Sequence, residues 1–281
     1  MKTKSADVAS RPPAVAGQFY DADPHRLAGE VERLLSAARA GAGERPKAVI
    51  APHAGYVYSG AAAATAFATL KGSAAGVARV VLIGPAHYVP FRGIAAPTAE
   101  AFETPLGTVR LDREALQSAT SVPAVTFADA PHAPEHALEV ELPFLQVLLP
   151  RFTAVPLLVG DAAPEEVAAV LSRLWGGPET LLVISSDLSH FLDYEAARRR
   201  DAATADKIER GEWAGIGPAD ACGHLPIAGF LIEAMRRGLA ARRLALCNSG
   251  DTAGPRHRVV GYGAWAFHDS AAAPRPSEST A

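Results

Sequence analysis

KAVIAPHAGYVYSGAAAATAFATL (residues 47–70) joins two patterns with a histidine at the seam. KAVIA (47–51) is a short apolar run with two β-branched residues, as expected of a strand buried on both faces. SGAAAATAFATL (59–70) reads as a helix, with Ser59 placed to cap it. His53 falls in the turn between them. The arrangement recurs twice. RVVLIG (79–84) leads within three residues to His87 in GPAHY, and TLLVISS (180–186) leads within four to His190 in SDLSH, beside Asp187. In open α/β sheets the carboxyl ends of parallel strands face one crevice. Three such histidines can therefore converge there despite their separation in sequence.

The rest of the chain keeps alternating. Asp23-Pro24 opens a helix through about Ala40, with Leu27, Val31, Leu34 and Leu35 at helical spacing. Further helices are predicted over about 135–149, 164–175, 195–211 and 225–238. Strands are predicted over 93–97, 107–111, 153–160, 241–248 and 259–267, with Phe102 in a loop between the first two. Pro156 suggests that 153–160 is an edge strand or carries a bulge. The pattern predicts a single α/β domain over 11–269, with helices flanking a mixed central sheet in three layers. Residues 1–10 and 270–281 read as loose tails.

Composition narrows the function. Of 281 residues, 49% are hydrophobic and 20% charged, with 59 alanines, which excludes a disordered, collagen-like or coiled-coil chain. A net charge of −3 argues against a nucleic-acid partner. Two cysteines make no disulfide framework, MKTKSADVASRPPAV lacks an apolar leader core, and no apolar run approaches membrane-spanning length. A soluble, cytoplasmic protein without a membrane partner is expected.

Other motifs carry chemistry. Cys222 in DACGHLPIAGF (220–230) sits at a predicted helix start, where a thiolate is favoured and can ligate a soft metal. Cys247 lies inside a strand pattern and reads as core. PHAPEHALEVELPFL (131–145) holds His132, Glu135, His136, Glu139 and Glu141, but its glutamates are misplaced for a zincin helix. His136 and Glu139 can face the crevice, or the segment can be a solvated helix face. No G-x-S-x-G elbow, G-x-G-x-x-G turn or P-loop is present.

RPPAVAGQFY (11–20), APHAGYVYSG (51–60), GPAHY (84–88), FETPLG (102–107), EHALEVELPFLQ (135–146), ISSDLSH (184–190), ACGHLPI (221–227) and GYGA (261–264) together resemble the Memo family. The resemblance implies a fold similar to that of class III (LigB-type) extradiol dioxygenases. It also implies a metal pocket formed by His53, His87 and Cys222, with Asp187 and His190 as the nearby catalytic acid and histidine. The thiolate stands where related dioxygenases use a carboxylate, so pocket and fold transfer more directly than ring cleavage. AMMECR-type and radical-SAM proteins are the partners the resemblance implies.

The expected function is a metal-dependent redox enzyme related to non-haem dioxygenases, with Fe(II) first, copper second and zinc third as cofactor. His190, oriented by Asp187, would move protons. A small-molecule substrate would meet His136, Tyr56 and Tyr88, with Tyr58 and Phe91 as further aromatic candidates. Two other readings stand beside it: a non-catalytic metal- or ligand-binding subunit or adaptor, and a zinc-dependent hydrolase.

Overall fold

In the computed structural model, which describes residues 9–39 and 45–269, the chain runs β1 (Ser10–Arg11), α1 (Pro24–Ala37), β2 (Ala48–Ala51), α2 (Tyr56–Ala68), β3 (Arg79–Pro85), β4 (Ile94–Ala96), β5 (Ala101–Thr104), β6 (Gly107–Arg110), α3 (Arg113–Ala119) and β7 (Val125–Phe127). It continues through α4 (Leu142–Leu148), β8 (Thr153–Val159), α5 (Pro164–Leu174), β9 (Thr180–Ser185), β10 (His190–Leu192), α6 (Tyr194–Arg210), α7 (His224–Arg236), β11 (Leu239–Asn248) and β12 (Val259–Asp269). β1, β5 and β6 form a small sheet. The other strands form one mixed sheet in the order β10-β12-β2-β9-β3-β8-β4-β7, with β11 paired along β12. Its centre, β2-β9-β3-β8, is parallel, and β12 and β4 run antiparallel on either side. This is the α/β class and mixed sheet expected from the sequence.

Every residue of β2 and β9 is buried, so both faces of the sheet are covered. α2 packs with α1 and α4 and lies on β2 and β12, whereas α5 packs with α3 and α7, and α7 reaches β3 and β9. Phe67 of α2 stacks on Phe144 of α4 with ring centroids 5.2 Å apart. Among the described residues no helix is long and apolar enough to cross a membrane.

Several elements differ from the sequence reading. Residues 1–8 and 270–281 of the predicted tails lie outside the described residues, but Ser10 begins β1. β1, β7 and β10 span two or three residues, too short to show a period. Phe102 lies in β5 and not in a loop. α2 starts at Tyr56 with Gly55 at the cap, while the Ser59 hydroxyl donates back to the Ala54 carbonyl at 2.9 Å. The helix predicted over 135–149 shrinks to α4, preceded by a single tight turn at Glu139–Glu141. Pro156 sits in an interior strand. It shares the side of β8 on which the Ala154 carbonyl meets the Asp112 N–H and the Gly160 N–H meets Gly93. The register with β4 reaches only as far as Leu158, so the missing N–H falls in a gap of the ladder.

Glu139 explains why 135–141 is irregular. Its carboxylate is fully buried and accepts from the Arg11 guanidinium, the Tyr20 hydroxyl, and the backbone N–H groups of Ala14 (2.7 Å) and Val15 (3.0 Å). Arg11 also donates to the carbonyls of His132 (2.8 Å) and Glu135. The N-terminal segment is thus latched onto 132–139. Nearby, buried His132 donates from Nε2 to the Ala95 carbonyl at 3.0 Å, and burial draws its pKa down from 6.5 to about 4.

Two predictions concern this latch. Glu139→Ala leaves Arg11 buried without its counter-charge and should destabilise the protein by about 3–5 kcal/mol in urea titrations; a loss below 1 kcal/mol would refute the latch. His132 binds its proton more weakly folded than unfolded. Its stabilising contribution is therefore complete above about pH 6.5 and lost as pH falls toward 4, about 3 kcal/mol in all. His132→Gln should remove that share of the acid slope, which urea midpoints across this range will show.

Candidate metal centre

β2, β9 and β3 are parallel neighbours, so the residues following them emerge along one edge. β2 delivers His53, β3 delivers His87, and β9 delivers Asp187 and His190. His136 arrives from the irregular segment on the same side. The His53 ring centroid lies 5.2 Å from that of His87 and 5.4 Å from that of His136, and the His87 and His136 rings stack at 4.7 Å. One nitrogen of each imidazole lies within 4.8 Å of the other two, a spacing that can hold a metal ion.

The surrounding hydrogen bonds decide which nitrogens face inward. Glu135 accepts from the His87 backbone N–H at 2.6 Å and from His87 Nδ1 at 2.9 Å. It also caps the N–H groups of His136 and Ala137, both at 2.9 Å. Burial pushes the Glu135 carboxyl up, but the bonds from His87 outweigh that and hold it below its ordinary value. An ionised Glu135 can only accept, so His87 Nδ1 carries the hydrogen and Nε2 is left for an ion. His53 Nδ1 lies 2.7 Å from Ser185 Oγ. The single hydroxyl proton of Ser185 has the Ala137 carbonyl at 2.6 Å as acceptor, so His53 Nδ1–H is the donor to Oγ. Glu141, fully buried, stands 3.0 Å from the same oxygen, and burial raises its carboxyl well above the usual range. Gly84 makes room for this packing, since a Cβ there would meet the Leu138 side chain at 3.0 Å and Ser185 Cβ at 3.3 Å.

Burial also favours the neutral form of two of the imidazoles, His53 and His136. It lowers His53 well below 6.5 and His136 to about 4, with neighbouring histidines adding to the effect on His53. His136 Nδ1 stands 3.2 Å from Glu135 Oε1 without hydrogen-bond geometry and has no other partner among the described residues. Phe19 packs on its ring at 4.7 Å. Three imidazole nitrogens within 4.8 Å of one another fit zinc, copper or iron as a donor set.

Cys222 adjoins the centre. Its Sγ lies 3.3 Å from His53 Nε2 and 3.6 Å from the Asp187 carbonyl. The lowered thiol pKa expected at a helix start is not found. Burial pushes it up to about 12, the Asp187 charge adds to this, and α7 begins only at His224. Cys247 lies in β11 and lines a separate cavity of ≈ 160 Å³ with Asp201.

Asp187 and His190 divide their tasks differently from the expectation. Asp187 Oδ1 accepts from the His53 backbone N–H at 2.8 Å, so Asp187 fixes the loop that carries His53. Burial raises its carboxyl to about 7. His190 is oriented by the Leu188 carbonyl, 2.8 Å from Nδ1, which leaves Nε2 free to accept a proton. Burial holds its pKa below the ordinary value.

His136, Asp187 and His190 line one cavity of ≈ 380 Å³, together with Tyr58, Tyr262 and Arg258. Tyr58 is thus a wall residue. Tyr56 is not: it is buried, donates to the Val140 carbonyl at 2.8 Å and packs on Phe144. Tyr88 is half exposed, its ring 5.7 Å from that of His136. Sequence reasoning missed Ser185 and Glu141 as supports of His53 and Glu135 as the support of His87. Their signal was the insertion of three carboxylates into the otherwise apolar run 137–145 and its start, where burial demands partners.

The chain matches the Memo-like protein family over residues 11–266, a span that contains all eight motifs quoted above. It is similar to a MEMO1 family protein of Saccharolobus solfataricus, 33% identical over 280 residues covering 90% of this chain and 97% of that protein. A MEMO1 family protein of Saccharolobus islandicus is 33% identical over 279 residues, with the same coverage of 90% and 97%. One of Sulfolobus acidocaldarius is 31% identical over 285 residues, covering 92% and 99%.

Glu135→Gln keeps the shape of the His87 support but removes its charge. Metal titration of the purified variant should show about 10–100-fold weaker binding with the fold retained. Undiminished affinity would mean that Glu135 does not set the His87 ligand.

Proposed function

The chain belongs to the Memo family, and on that premise we propose that it is a metal-dependent redox enzyme acting on a small molecule in the cavity beside His136 and His190. The observation that carries this reading is a three-imidazole cluster whose His136 shares one cavity with a proton-accepting histidine, His190. His53 and His87 are ligands whether His136 or Cys222 is the third. His136 completes the set by geometry, and Cys222 is the neighbouring thiol that the family resemblance puts in that role. These residues would hold iron, or copper in second place, and the ion would supply one-electron and Lewis-acid chemistry there.

The protein's own residues do the rest. Ser185 and Glu135 hold the two strand-end imidazoles in one tautomer and orientation. Asp187 fixes the backbone under His53. Burial favours the neutral His190 imidazole and the Leu188 carbonyl holds its hydrogen on Nδ1, so Nε2 takes a proton from the bound substrate. A three-imidazole set also suits zinc, which gives a hydrolase its supporting observation.

Metal analysis of anaerobically purified, untagged protein tests the reading. Wild type should carry stoichiometric iron or copper, and His53→Ala should lose it. Loss in His136→Ala but not in Cys222→Ala assigns the third position to the imidazole, and the converse assigns it to the thiol. His190→Gln should retain the ion and lose turnover by about 100-fold or more. Stoichiometric zinc with O₂-independent hydrolysis would replace the redox reading. Metal retained in His53→Ala would refute the centre altogether.

A further inference from the structure

The cavity beside the histidines has a cationic end that the proposed chemistry does not use. Arg258 lines it, along with His136 and His190. Among the described residues no carboxylate forms an ion pair with Arg258. Its guanidinium instead lies 4.2 Å above the Phe191 ring. A guanidinium stacked in this way keeps its N–H edge free and held in one plane, which suits two-point binding of a planar anion.

The backbone beneath it is unusual. Phe191 has φ 63, the one positive value outside glycine among the described residues. A bulky residue in the left-handed region is strained. Its side chain is also 60% exposed, so burial does not compensate. The register between β10 and β12 slips here, between His190 and Leu192. Such a bulge re-aims side chains. This one presents His190 to the cavity and sets the next ring beneath Arg258.

We infer that Arg258, seated on Phe191, is the anion-recognising residue of this cavity, and that the cavity takes small organic carboxylates with the carboxylate on Arg258 and the remainder toward His136 and His190. The inference rests on the same cavity as the proposed enzyme and names its substrate class. A monoanion fits better than a phosphate dianion. One guanidinium is the only Lys or Arg side chain lining the cavity among the described residues, and the Asp187 carboxyl lines it as well. The cavity volume of ≈ 380 Å³ is within the range of small-molecule sites.

Benzoate and benzamide, alike in shape and different in charge, give the test by calorimetry or ligand-observed NMR on metal-free protein. Wild type should bind benzoate at least about tenfold tighter than benzamide, and Arg258→Gln should bring the two to parity. Arg256→Gln, which removes a charge two residues away from a guanidinium stacked on Tyr194, should preserve the preference. Phe191→Gly should weaken benzoate several-fold without lowering thermal stability, because it releases strain while unseating the guanidinium. Equal binding of the two probes, no saturable binding of either, or a preference that survives Arg258→Gln would overturn the inference. Tighter binding of phenyl phosphate than of benzoate would overturn the carboxylate class. Because no metal is present in these titrations, failure of the metal centre would leave their outcome unchanged.

Discussion

A carboxylate with no exposed surface must find its hydrogen-bond donors inside the protein, and Glu139 finds all of its own in residues 11–20. That demand places the candidate site. Once Arg11, Ala14, Val15 and Tyr20 are tied to Glu139, Phe19 has one place to go. Its ring packs on His136, and its carbonyl receives the Tyr56 N–H at 2.8 Å, at the head of α2 just after His53. One buried charge therefore sets the surroundings of two histidines on separate segments. Glu135 and Glu141 turn to His87 and Ser185 from the same stretch. Three carboxylates reach three different partners because 135–141 is not a regular helix.

The frame was legible in the sequence because it depends on local pattern. Short apolar strands and amphipathic helices announce themselves by period, and β2, β3 and β9 were each readable from five to seven residues. The placement of His53, His87 and His190 at strand ends followed from the same pattern. Their convergence needed only the rule that parallel strands present their carboxyl ends to one side.

What could not be read depends on tertiary choice. EHALEVELPFLQ has the composition of a helix, and nothing local says that its glutamates will be claimed by Arg11, His87 and Ser185. Likewise, Cys222 near a helix start carries the sign of an activated thiol, yet its surroundings are dry enough to reverse that sign. Asp187 and His190 are close in sequence, but the turn between them sends one to the His53 backbone and the other to the Leu188 carbonyl. Pro156 illustrates the same limit, since its tolerance depends on where a non-sequential neighbour stops pairing.

The strand order has a consequence for how the protein is made. β2 and β3 are adjacent in the chain but not in the sheet, because β9, about a hundred residues later, lies between them. His53 and His87 thus emerge from the ribosome early and have no fixed relation until β9 inserts and brings Ser185 and Asp187 with it. Contacts so distant in sequence close slowly, since loop entropy opposes them until the sheet is nearly complete. A partly synthesised chain therefore offers scattered histidines and no chelating site. The three imidazoles reach chelating distance only at the end of folding.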